Sequence, residues 1–130
     1  MKKLLVFGVF VVFSALVGCF KEVEDRIDKV EGKYLGTYYM ENDTISDVIA
    51  TVYKFGSDQM SINISNSNGE SYHSTGPLEV YEETKMDSYG NEYNSFQLVL
   101  RNDTIGSINL KEYILKIRPM LNKSFSGKKI

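Results

Sequence analysis

A strict alternation of apolar and polar residues constrains the fold of this chain more than any other feature. Met60, Ile62 and Ile64 alternate with Ser61, Asn63 and Ser65. Successive side chains of a strand point to opposite faces, so this segment predicts a strand with one buried face. Asn66-Ser67-Asn68-Gly69 follows and is typical of a hairpin turn.

The same two-residue period continues over most of the chain after Gly32. Turn-forming residues separate the apolar segments, and no long helical period lies between them. We therefore predict an all-β domain over residues 32–119, a small antiparallel β-barrel or sandwich of about seven or eight meandering strands. The predicted strands cover residues 33–41, 47–55, 60–65, 78–84, 96–101, 104–110 and 113–118.

The first 19 residues have the pattern of a bacterial secretion leader. Two lysines precede an uncharged apolar stretch over residues 4–17, which is shorter than the ~20 residues that a membrane-spanning helix needs. A short transmembrane or buried helix is the alternative interpretation. The stretch ends in Leu16-Val17-Gly18-Cys19, which resembles the lipobox of bacterial lipoproteins.

This resemblance implies a signal peptide over residues 1–18, cleaved between Gly18 and Cys19, and acyl chains such as palmitate on Cys19. Two or more chains would make attachment to the cell envelope stable. Phe20, where some lipoproteins carry an Asp that retains them at the inner membrane, favours the outer membrane or cell surface. Because Cys19 is the single cysteine, its acylation would leave neither a disulfide nor a catalytic thiol.

Two segments flank the predicted domain. Residues 19–31 are rich in charge and predict a lipidated tether, although Val23, Ile27 and Val30 have helical spacing and also fit a short helix capping the domain. After Pro119, residues 120–130 predict a flexible basic tail.

Composition and motifs give no support for catalysis, a metal or a cofactor. The formal net charge of −2 disfavours nucleic acid as a partner. His73 is the single histidine, and a zinc site would need several His or Cys ligands. Glu79, Glu82 and Glu83 lie on a predicted strand, where such charges more often mark a solvated face than an acid–base pair. We therefore predict a protein that is not an enzyme.

Gly32-Lys33-Tyr34, at the start of the first strand, resembles the calycin or lipocalin-like group of small antiparallel barrels. Members of that group usually have Trp at the position of Tyr34, packed by an Arg from the last strand. The resemblance implies a barrel-closing pair of Tyr34 and Arg118.

The predicted function is that of a membrane-anchored, non-catalytic binding domain for a small apolar ligand or an envelope component. The candidate ligand-facing residues are Ile62, Ile64, Phe96 and Leu98. Since strands this short leave little internal space, we expect a mostly filled interior, with a ligand entering at one mouth or binding a tyrosine-bearing outer face. The alternative is a structural or host-facing surface lipoprotein that acts through protein–protein contacts.

Overall fold

The computed structural model describes residues 27–130, which form nine strands after a single helical turn, α1, at residues 27–30. The strands are β1 (Gly32–Met40), β2 (Asp43–Phe55), β3 (Gln59–Ser65), β4 (Ser71–Ser74), β5 (Leu78–Met86), β6 (Glu92–Leu100), β7 (Asp103–Asn109), β8 (Ile114–Met120) and β9 (Lys123–Lys129).

Eight of these strands close into a ring. Neighbours along the chain pair antiparallel, β3 pairs with β5 across the β4 insertion, and β9 returns to pair with β1. Each strand of the ring therefore pairs on both sides, with the shortest pairing between β3 and β5, at Gln59–Glu79 and Met60–Leu78. The predicted all-β antiparallel fold is confirmed, with a barrel as its architecture. We call the end where β1 begins the lower end, and the end where β1 finishes the upper end.

β4 lies outside the ring and pairs with β3 alone. It runs along β3 in line with β5, and the two are separated at Thr75-Gly76-Pro77. Thr75 bridges this break, because its amide donates to the Ile62 carbonyl and its hydroxyl accepts from the Ile62 amide. Proline cannot donate to a ladder, so the break at Pro77 fits the local sequence.

The core fills the inside of the ring. The alternation in β3 is confirmed, since Met60, Ile62 and Ile64 are fully buried. Tyrosine and phenylalanine supply the largest buried side chains: Tyr34, Tyr38, Phe96 and Phe125. Buried aromatic rings of this size contribute much of the apolar area that stabilises a small domain without disulfides.

Two glycines let neighbouring strands approach more closely than other residues permit. A Cβ atom on Gly36 would lie 1.9 Å from the Ser126 carbonyl oxygen of β9. One on Gly106 would lie 2.4 Å from the Lys116 carbonyl oxygen of β8. Both positions therefore require glycine for backbone packing.

The predicted flexible tail is wrong. Residues 123–129 form β9, which pairs with both β1 and β8 and buries Phe125 in the core. The described β domain therefore extends to Lys129 instead of ending at residue 119. Pro119 does not end the ladder, because it lies at an irregular position where the pairing of β8 with β9 shifts register.

Part of the predicted tether also belongs to the fold. Ile27 and Val30 of α1 are fully buried in the barrel core, which agrees with the capping helix and not with a free linker at these positions. The signal-peptide prediction over residues 1–18, with Gly18 and Cys19, and the tether prediction over residues 19–26 lie outside the described residues.

Candidate functional site

The four candidate ligand-facing residues all point into the barrel. Ile62 and Ile64 lie on β3, Phe96 and Leu98 lie on β6, and each side chain is 0–1% exposed. A side chain lining a cavity large enough for water would keep accessible surface. The interior around these four residues is therefore filled by protein atoms, at the close packing normal for a core.

The structure does not bring Tyr34 and Arg118 together. Tyr34 is buried near the lower end of β1, whereas Arg118 is exposed on the outside of β8 toward the upper end. The Tyr34 hydroxyl instead donates to the Val30 carbonyl over 2.7 Å. Burial, reinforced by the nearby Tyr113, raises the pKa of Tyr34, so its phenol remains a hydrogen-bond donor. The pair implied by the family resemblance is absent, and Tyr34 fixes α1 instead.

Polar contacts hold α1 across the lower end of the barrel. The Lys54 amide donates to Glu31 Oε1 over 2.8 Å, and Lys54 Nζ lies 3.1 Å from Asp28 Oδ1. Lys129 Nζ donates to the Lys29 carbonyl. Together with the buried Ile27 and Val30 side chains, these contacts close the lower end.

At the upper end, β4 reaches across the mouth of the barrel. The Tyr72 ring stacks on the Tyr38 ring, with centroids 5.7 Å apart and planes 14° apart. Tyr38 belongs to β1, which is separated from β4 by β2 and β3, so this contact crosses the barrel instead of following the sheet. The register of β3 with β4 shifts between Ile64 and Ser65, which makes Tyr72 an additional, bulged residue on β4.

The Tyr38 hydroxyl is a buried polar group without a partner. Tyr38 is 1% exposed, and its hydroxyl makes no hydrogen bond within residues 27–130. Burial raises the pKa of Tyr38, so the phenol remains protonated and able to donate. Native proteins seldom leave such a group unpaired, and an exception calls for a specific explanation.

Apolar side chains and the cation of Lys123 lie where the strands reach the upper end. Partly buried side chains from four strands pack against the core there: Met40, Ile45, Leu100 and Ile105. His73 follows Tyr72 on β4. Burial and the positive charge of Lys123, at the start of β9, lower the pKa of His73 below 6.5. We call the region formed by Tyr38, Tyr72, His73 and these apolar side chains the upper mouth.

Carboxylates elsewhere on the barrel are engaged in local contacts. The Tyr81 hydroxyl donates to Glu79 Oε2 over 2.6 Å, and this bond with the negative charge raises the pKa of Tyr81. Lys85 Nζ lies 3.3 Å from Glu83 Oε1. Among residues 27–130, no group of three or more His, Cys, Asp or Glu side chains is arranged to hold a metal ion.

Neither tyrosine of the upper mouth was predicted as a site residue from the sequence, although local sequence signals for both exist. Tyr34, Gly36 and Tyr38 alternate along β1, which places Tyr38 on the same inner face as Tyr34. The hairpin signal at Asn66–Gly69 also requires a returning strand, and β4 with Tyr72 is that strand.

Comparison of the chain with protein-family models, curated proteins and solved structures finds no match. No helix within residues 27–130 is long and apolar enough to cross a membrane.

Proposed function

We propose that this protein is a lipid-anchored, non-catalytic binding domain that takes a small apolar molecule with one polar head group at its upper mouth. The observation that carries the proposal is the buried Tyr38 hydroxyl beside Tyr72, which has no hydrogen-bond partner among residues 27–130. A ligand carbonyl or carboxylate could accept its hydrogen bond while the apolar part contacts Met40, Ile45 and Leu100.

Movement of β4 would open this site. Because the core below is filled, the ligand would replace Tyr72 over Tyr38 instead of entering the centre of the barrel. β4 has four residues and pairs with one strand, so lifting it breaks few ladder bonds. The positive charge of Lys123 near His73 favours a carboxylate head group.

The experiment is a calorimetric titration of the full chain with decanoate, a simple apolar chain with a carboxylate. We expect saturable binding that Tyr38→Phe weakens roughly tenfold, since a hydrogen bond to a charged acceptor is lost. Tyr53→Phe, which removes a hydroxyl from the outer wall, is the matched control and should bind like the wild type. Equal binding by wild type and Tyr38→Phe would contradict the proposed site.

The lipid anchor is a separate part of the proposal, and it rests on the Leu16-Val17-Gly18-Cys19 motif. Ile27 lies eight positions after Cys19 in the sequence, and a chain of that length reaches at most about 29 Å. An anchor at Cys19 would therefore hold the lower end near the membrane and leave the upper mouth at the opposite end. In cells, a palmitate analogue should label the wild type but not Cys19→Ser. Equal labelling of both proteins would show that Cys19 does not carry the lipid anchor.

A second candidate function is protein binding through an outer aromatic surface, which we define as Tyr53, Phe55 and Tyr81. These side chains are 50–53% exposed on the outer faces of β2 and β5, which lie on either side of β3. Exposed aromatic groups of this kind favour protein interfaces. A photo-crosslinking residue at Phe55 should capture a discrete partner in cells if this function operates, and the same residue at exposed Tyr89 is the control.

A further inference from the structure

A depression of about 770 Å³, open to solvent, lies on the outer wall of β5–β9. We call it the outer groove. The residues that define it are Gln97, Thr104, Ser107, Lys116, Arg118 and Ser126. Its volume falls within the roughly 300–1,000 Å³ of small-molecule sites.

Strand register explains the shape and polarity of the outer groove. Gln97, Ser107, Lys116 and Ser126 are direct cross-strand partners in one row across β6, β7, β8 and β9. Two of these four positions carry serine, whose short side chain leaves a recess that forms the floor of the outer groove. Gly106 allows the backbones of β7 and β8 to approach each other closely at this floor. The result is a floor of hydroxyl groups between longer polar side chains.

The outer groove carries a local positive charge that composition does not predict. Lys116 and Arg118 alternate on the outer face of β8, so their side chains project from the same side about 7 Å apart. Among residues 27–130 no ion pair or hydrogen bond involves either side chain, whereas Lys85 and the Glu83 carboxylate, which also line the outer groove, are paired with each other. Lys116 and Arg118, which have no ion pair within residues 27–130, thus lie side by side on a chain whose formal net charge is −2.

We propose that the outer groove binds an acidic saccharide. Arg118 offers a planar pair of donors that matches a carboxylate or a sulfate, and Lys116 adds a second positive charge. The hydroxyls of Ser107, Ser126 and Thr104 both donate and accept, as the hydroxyls of a sugar require. Phe125 lies beneath the floor and is fully buried, so it offers no face for stacking a nucleobase.

The test is calorimetric titration of the full chain at low ionic strength with trigalacturonate, a carboxylated trisaccharide. Maltotriose provides a neutral trisaccharide, and inorganic phosphate provides an anion without a sugar. We expect trigalacturonate to bind at least roughly tenfold more tightly than either, because both recognition elements must be present. Lys116→Gln and Arg118→Gln should each weaken its binding roughly tenfold.

Two further variants separate a built site from general attraction. Lys111→Gln removes a cation from the turn between β7 and β8, outside the outer groove, and should leave binding unchanged. Ser107→Tyr fills the outer groove without changing its charge and should abolish binding. Equal weakening by Lys111→Gln and Lys116→Gln, unchanged binding by Ser107→Tyr, equal affinity for phosphate, or no binding at millimolar trigalacturonate would each overturn the proposal.

Discussion

At the scale of single residues, two tyrosines on β1 differ in whether their hydroxyl groups have a hydrogen-bond partner. Tyr34 and Tyr38 both point from β1 into the core, and both are at most 1% exposed. The Tyr34 hydroxyl donates to Val30, whereas the Tyr38 hydroxyl has no partner within residues 27–130. An unsatisfied buried polar group destabilises a fold, so the Tyr38 hydroxyl lowers the free energy of unfolding. A role of this hydroxyl in ligand binding would explain its presence.

Replacing each tyrosine with phenylalanine should therefore change stability in opposite directions. Tyr34→Phe should lower the free energy of unfolding by about 1 kcal/mol, because it removes a buried hydrogen bond. Tyr38→Phe should raise it by about 1–2 kcal/mol, because it removes an unsatisfied hydroxyl. Urea unfolding of the ligand-free protein measures both. A loss of stability in Tyr38→Phe would show that its hydroxyl is satisfied.

His73 should make stability depend on pH in one direction. Its pKa in the folded protein lies below the ordinary 6.5, so between those values the unfolded chain binds more protons. The stabilisation that neutral His73 provides is complete above about pH 6.5 and decreases as the pH falls through this window. Wild type should lose more stability than His73→Gln between pH 7 and pH 5.5 in paired urea titrations. Parallel pH profiles would contradict the shift.

At the scale of elements, short segments close both ends of the barrel. The single turn α1 inserts Ile27 and Val30 at the lower end, and β4 stacks Tyr72 over the upper mouth. The buried Ile27 and Val30 side chains show that packing against the core holds α1 in place. The two closures differ, since α1 has two buried anchors and several polar contacts, whereas Tyr72 is only partly buried.

The role of α1 can be tested with one buried and one exposed residue. Ile27→Ala should lower the free energy of unfolding by about 2–4 kcal/mol, because it leaves a cavity in the core. Lys29→Ala keeps the backbone carbonyl that Lys129 contacts, and its effect should stay within about 0.5 kcal/mol. Thermal or urea unfolding of both variants measures these changes in the free energy of unfolding. Similar small effects would mean that residues 27–30 are a tether.

The contact between β1 and β9 gives a second test at this scale. Gly36→Ala should destabilise the protein by about 3 kcal/mol or more, because its Cβ would overlap the Ser126 carbonyl. Gly76→Ala is the matched control, because a Cβ there meets nothing within 4 Å. If both glycines tolerate alanine equally, β9 does not pair with β1 as described.

For the whole molecule, periodicity predicted the sheet but not how the ring closes. The alternation of Met60, Ile62 and Ile64 identified β3 because that strand has one buried face. β9 was missed because Lys123–Lys129 contains five polar or basic residues around Phe125 and a glycine, and its burial depends on pairing with a distant strand. Propensity and alternation report local patterns, whereas ring closure depends on long-range contacts.

The candidate sites likewise combine features that local sequence patterns predict with features that depend on long-range contacts. Sequence alone placed Ile62, Ile64, Phe96 and Leu98 on inner faces, which the structure confirms, but it could not show that their neighbours fill the space between them. The upper mouth depends on a contact between Tyr38 and Tyr72 across the barrel, and the outer groove on the register of four strands. Local patterns can place Tyr38 and Tyr72 on their own strands, but neither arrangement as a whole follows from a local pattern.

We propose above that a ligand binds at the upper mouth and that this binding requires β4 to move. The most direct measurement is site-resolved NMR of the full chain during titration with decanoate. We predict shifts that centre on Tyr38, Tyr72 and His73, with loss of the Tyr38–Tyr72 ring contact at saturation. Shifts confined to Tyr53, Phe55 and Tyr81, or no shifts at millimolar decanoate, would contradict the claim.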